Sequence, residues 1–123
     1  MRMATCQIKK GVLFFLLEGP YASDRNLHLV RMALSIALDA KPQLVLLGDA
    51  VRLSICTQDP SPPLNDVVSQ LRMLQEMDVP TYAVEEDLVA HEIAKEEIMP
   101  GVKPLPNGRI GALMDGADYV FVT

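Results

Sequence analysis

The chain has 123 residues, of which 50% are hydrophobic, 22% charged and 5% aromatic, with no tryptophan. That is the length of one domain, and an interior built from aliphatic side chains excludes a disordered or fibrous chain and favours α/β architecture. Acidic residues outnumber basic ones 16 to 11, a formal charge of −5, so the overall field repels nucleic acid and argues against direct nucleic-acid binding.

Residues 1–10 read as a polar leader and 11–123 as a single domain. Lys9 and Lys10 before the apolar run Val12 to Leu17, with Tyr21-Ala22-Ser23 after it, imitate a secretory signal. Glu18 interrupts that run early, and its removal would delete the best strand in the chain. No stretch approaches the roughly 18 apolar residues of a membrane span. Cys6 and Cys56 are too few and too far apart for a disulfide framework. The expectation is a soluble, cytoplasmic protein with reduced thiols and no membrane association.

Gly11 to Leu17 (GVLFFLL) is continuously apolar and closed by Glu18-Gly19-Pro20, the pattern of a central parallel strand covered on both faces. From Ser23, an N-cap residue, Leu27, Val30, Ala33, Leu34, Ala37 and Leu38 recur at helical spacing up to Lys41-Pro42. Leu44 to Leu47 is a second buried strand, stopped by Gly48-Asp49. Ala50 to Cys56 has mixed periodicity and leans towards helix. The prolines of Asp59 to Pro63 make a loop, after which Leu64, Val67, Val68, Leu71, Leu74 and Met77 form the stripe of a second long helix. Pro80 to Val84 is a third strand, Glu85 to Glu97 an acidic block with one or two short helices, and Val102 to Leu105 a short strand that Pro104 demotes to an edge. Ile110 to Met114 reads as a short helix and Tyr119 to Val122 as a last buried strand. Alternation of this kind predicts a three-layer α/β/α sandwich with a mostly parallel sheet of about five strands, flavodoxin-like in broad terms.

In an open parallel sheet, ligands gather beyond the carboxyl ends of the strands. That rule selects Glu18 to Ser23, Gly48 to Val51, Ala83 to Glu86 and Thr123. The first of these loops lacks the glycine patterns that wrap a pyrophosphate, so a nucleotide cofactor is not implied, and no other cofactor is. Gly19, Tyr21 and Ser23 from that loop, with Asp49, Ala83 and Glu85 across from it, are the candidate ligand- or partner-binding residues. Glu18 and Asp24 are acids of the same edge, Asp24 equally a helix-start residue. His28 reads as a residue of the first helix's surface. His91, beside Glu92 and near Glu86 and Asp87, lacks metal-ligand spacing, so no metal is expected. Cys56 is the candidate nucleophile, although the carboxyl end of a helix raises a thiol pKa, an effect that Arg52 one turn earlier would offset.

The order of these pieces, KKGVLFFLLEGPYASD, then LVLLGDAV, LRMLQEMDVPTYAVEEDL, IMPGVKPL and the closing ADYVFVT, resembles the DsrE/DsrF-like (TusD/TusC-like) family of small sulfur-relay proteins from about Lys9 to Thr123. The resemblance implies a DsrE/DsrF-like fold, a homo-oligomer (trimer or hexamer) and partners among sulfur-relay proteins for sulfur oxidation or tRNA thiolation. It also implies, in active members, a persulfide cysteine at the end of the third strand followed by an Arg-Gly-apolar step. In this chain Ala83 stands at the cysteine's place and His91-Glu92-Ile93 at the step. Only a thiolate attacks a persulfide donor, so the resemblance points to a non-carrying or accessory subunit, and a cysteine put at 83 is expected to be more reactive than either native thiol. The alternatives are a sulfurtransferase that uses Cys56 and a small-ligand-binding α/β module.

Overall fold

Residues 10–17, 25–55 and 64–122 are described by the computed structural model, residues 64–68 in backbone only. Their five strands are β1 (Gly11–Leu16), β2 (Lys41–Leu46), β3 (Thr81–Val84), β4 (Val102–Leu105) and β5 (Tyr119–Val122). All four neighbouring pairs are parallel, and the spatial order is β4-β3-β2-β1-β5. The helices are α1 (Arg25–Ile36), α2 (Leu64–Glu76), α3 (Glu85–Ala90) and α4 (Ile110–Asp115), with a 3-10 helix at Gly48–Ser54 after β2. Among the described residues no helix is long and apolar enough to cross a membrane.

β1 is continuously apolar because it serves two cores. Val12, Phe14 and Leu16 face a layer that includes Leu27, Val30 and Ala33 of α1 and Leu71 and Leu74 of α2, whereas Leu13 and Phe15 face a smaller cluster with Val45, Val84 and Leu105. α1 ends at Ile36, earlier than its apolar spacing predicts, because the chain turns through 37–40 and Pro42 bars the α region for Lys41. β2 starts before its apolar run: Lys41 and Pro42 pair with β1, and the ladder to β3 begins only at Leu44. Pro42 is tolerated in the part of β2 that has a strand on one side alone.

The segment after β2 is a 3-10 helix whose Val51 and Leu53 fill the main core. The helices α2 and α3 stop in the same way. Asp78 and Glu92 adopt left-handed backbone (φ 62° and 56°), while Val79 N–H donates to the Leu74 carbonyl and Ile93 N–H to the Leu88 carbonyl, both at 2.9 Å. This is the Schellman pattern, made here with residues other than glycine.

The two layers over the sheet are unequal. α1 and α2 cover one face, while the opposite cluster is flanked chiefly by Ile110 and Leu113 of the six-residue α4. This corrects the expectation that Tyr119 to Val122 is buried: β5 lies at the sheet edge and its four residues are 39–55% exposed. Its apolar composition matches that of a central strand, but among the described residues the sheet order gives it a single neighbour.

Candidate functional site

The carboxyl ends of β2 and β3 adjoin, because Leu46 is in register with Ala83. Beyond them lie the 3-10 helix that follows β2 and α3, which follows β3 without a connecting residue. Gly48 holds the first corner at φ 59°, and its N–H donates to the Asp87 carboxylate of α3 at 2.8 Å. One residue further, the Asp49 Oδ1 lies 3.3 Å from the His91 Nε2; the carboxylate side chain is 68% exposed and the imidazole 29%. The Glu86 carboxylate accepts the Asn107 N–H at 2.9 Å, tying α3 to the turn after β4. Three acids on two elements thus have distinct jobs: Asp87 and Glu86 hold backbone together, and Asp49 meets the imidazole.

An Nε2–H that donates to Asp49 leaves Nδ1 as the acceptor of the neutral ring. This carboxylate–imidazole contact is open to solvent, and spacing alone did not signal it, since Asp49 and His91 are far apart in the chain. The available signal was topological: both follow neighbouring strands of a parallel sheet. Among the described residues no group of three or more His, Cys, Asp or Glu is arranged to hold a metal ion.

Ala83 is fully buried in the main core, so its Cβ is a wall beneath the site. Its place changes the expectation for a cysteine there, because a thiol at 83 would be shut away from solvent. Glu85, in the first turn of α3, is the first exposed residue after β3. It borders a groove of about 270 Å³ floored by Leu88, Ile93, Ile98 and Pro104. Asp49 and Glu85 are both exposed at the carboxyl edge. His28 is exposed on α1, away from this pair, beside Val122 at the end of β5. Gly19, Tyr21, Ser23, Glu18 and Asp24, with Cys6, Cys56 and Thr123, lie outside the described residues.

A sheet ordered β4-β3-β2-β1-β5, all parallel, with its site beyond β2 and β3, defines a small α/β protein of the open-sheet class. The model of the DsrE/DsrF-like family matches residues 10–123, and the chain belongs to that family. Among solved structures, the ychN protein from E. coli is similar with a TM-score of 0.83 and 21% identity, over 94% of this chain and 100% of that one. A protein of unknown function, MTH1491 from Methanobacterium thermoautotrophicum, is similar with a TM-score of 0.72 and 17% identity, over 92% of this chain and 99% of that one. These likenesses concern the fold. No curated protein matches the sequence.

Proposed function

We propose that the protein is a non-carrying or accessory subunit of intracellular sulfur relay, which offers partners its carboxyl edge without holding persulfide sulfur there. One observation carries this reading: β3 and the first turn of α3 run Ala83-Val84-Glu85-Glu86, with no thiol at the position where active members of the family are expected to carry one or at the residues next to it. A shift of the match by a residue or two does not supply a sulfur. What stands there is acid: Glu85, Glu86 and Asp87 in one turn, with Asp49 across the edge. Negative charge of this kind disfavours a thiolate and a persulfide anion alike. The same edge suits a partner surface, for which Asp49 and Glu85 are the exposed contacts and Gly19, Tyr21 and Ser23 the residues proposed from the sequence that follows β1.

The test is incubation with a persulfide donor followed by mass spectrometry of the intact chain, in the native sequence and with Cys6→Ser and Cys56→Ser made singly. The proposal expects no stable gain of one sulfur atom. A gain that disappears with Cys56→Ser overturns it and makes Cys56 a carrier.

A further inference from the structure

We infer that the groove between α3 and β4 binds a free α-amino acid with an aliphatic side chain of leucine's size, whose two backbone charges are met by Glu85 and Lys95. The lining has the composition of a small-molecule site. Leu88, Ile93, Ile98 and Pro104 make an apolar floor, and the charged residues of the lining are one acid and one base, Glu85 and Lys95. Sites for small ligands are mostly apolar, with a few polar groups that fix orientation. Val89 belongs to the same wall and is 76% exposed, an apolar side chain that the core does not use. The groove also lies beyond the end of β3, on the edge where an open parallel sheet collects ligands.

Its walls are held from outside. The Glu86 carboxylate accepts the Asn107 N–H and so ties α3 to the turn after β4, while Ile98 forms an antiparallel bridge with Ile55. The Ile93 N–H donates to the Leu88 carbonyl at 2.9 Å, which closes the turn between two residues of the floor. A groove fixed in this way asks little ordering of the protein when a ligand enters.

Size and charge select the ligand. The volume of about 270 Å³ is just below the roughly 300 to 1,000 Å³ of drug-sized sites. At ~30 Å³ for each water-sized group it takes about nine non-hydrogen atoms, the number in leucine. Among the described residues neither Glu85 nor Lys95 is engaged in an ion pair, and the Glu97 carboxylate near Lys95 is occupied by the Ala94 N–H at 3.0 Å. Residues 85–97 hold six acids against one lysine, so a ligand that is only an anion is repelled on approach. A ligand that is only a cation meets Glu85 but leaves Lys95 facing a like charge. A zwitterion with its ammonium at Glu85 and its carboxylate at Lys95 satisfies both and lays its side chain on the floor.

Titration calorimetry of the full chain with L-leucine, beside amide NMR shifts, is the test, with N-acetyl-leucine and leucinamide as ligands that each lack one charge. Leucine is expected to bind saturably with a dissociation constant at or below ~1 mM, which about nine atoms can supply, and to shift the amides of Leu88, Ile93 and Ile98. Each blocked ligand on the native chain, and leucine itself on Glu85→Gln or Lys95→Gln, is expected to bind at least about threefold more weakly. Both substituted residues are exposed, so circular dichroism is expected to stay unchanged. The inference is overturned if leucine gives no saturable binding, if the shifts fall elsewhere, or if blocking either charge or making either substitution leaves the affinity intact. The blocked ligands decide the matter on the native chain even if a variant fails to fold. Persulfide incubation is a separate measurement, so none of these outcomes depends on the sulfur-relay reading.

Discussion

Replacing Ala83 by cysteine tests how the end of β3 is built. Ala83 is fully buried between Leu46 of β2 and Pro104 of β4 in the sheet, and its Cβ belongs to the main core. A sulfur added there overpacks that layer at about 1 to 3 kcal/mol. For a domain of this size each kcal/mol lowers the unfolding midpoint by about 4 °C, so a fall of roughly 4 to 12 °C is expected. Burial also holds the thiol neutral and out of reach, so alkylation waits on local opening of the strand end. An opening that costs at least ~1.4 kcal/mol slows the reaction tenfold or more relative to an exposed thiol. Glu85→Cys supplies that comparison, since residue 85 is exposed two positions later. Both variants are made with Cys6→Ser and Cys56→Ser, so that one thiol reports, and alkylation is followed by mass at several pH values beside a thermal melt. If A83C reacts within twofold of E85C and melts with the native chain, Ala83 does not face the core and this account of the strand end is wrong.

Five further outcomes follow from the same packing. Leu44→Ala, in the fully buried centre of the sheet, is expected to destabilise by about 2 to 5 kcal/mol in denaturant unfolding. Asp87→Ala removes the acceptor of the partly buried Gly48 N–H and is expected to cost about 1 to 2 kcal/mol, whereas Asp49→Ala, which breaks a solvent-exposed pair with His91, is expected to cost under ~1 kcal/mol in the same assay. Gly101→Ala meets both a φ of 94° and a Gln75 side chain 2.9 Å from the new Cβ, and is expected to lower the melting point by at least the equivalent of ~1 kcal/mol. Glu92→Gly relieves the left-handed residue at the end of α3 and is expected to raise stability by about 0.5 to 1 kcal/mol.

The elements are legible in the sequence because their signals are local. The unbroken apolar run of β1, the three- and four-residue spacing of Leu27, Val30 and Ala33, and the Pro104 that sends β4 to an edge each report what a few neighbouring residues can bury or bond. The rule that ligands gather at carboxyl ends likewise selects Asp49 and Glu85 from chain order alone, and both are accessible there. Depth and pairing are decided by tertiary structure. The run Tyr119 to Val122 has the composition of a buried strand, yet its burial depends on the sheet order, which gives it one neighbour among the described residues, and on the shortness of α4. Ala83 reads along the chain as an empty reactive position, because its place in the order of residues is visible there and the direction of its Cβ is not. The contacts of Asp49 with His91 and of Gly48 with Asp87 join segments that propensity treats separately. They form only because parallel pairing of β2 and β3 brings the turns after them together, and pairing across a sheet is a property of the whole chain.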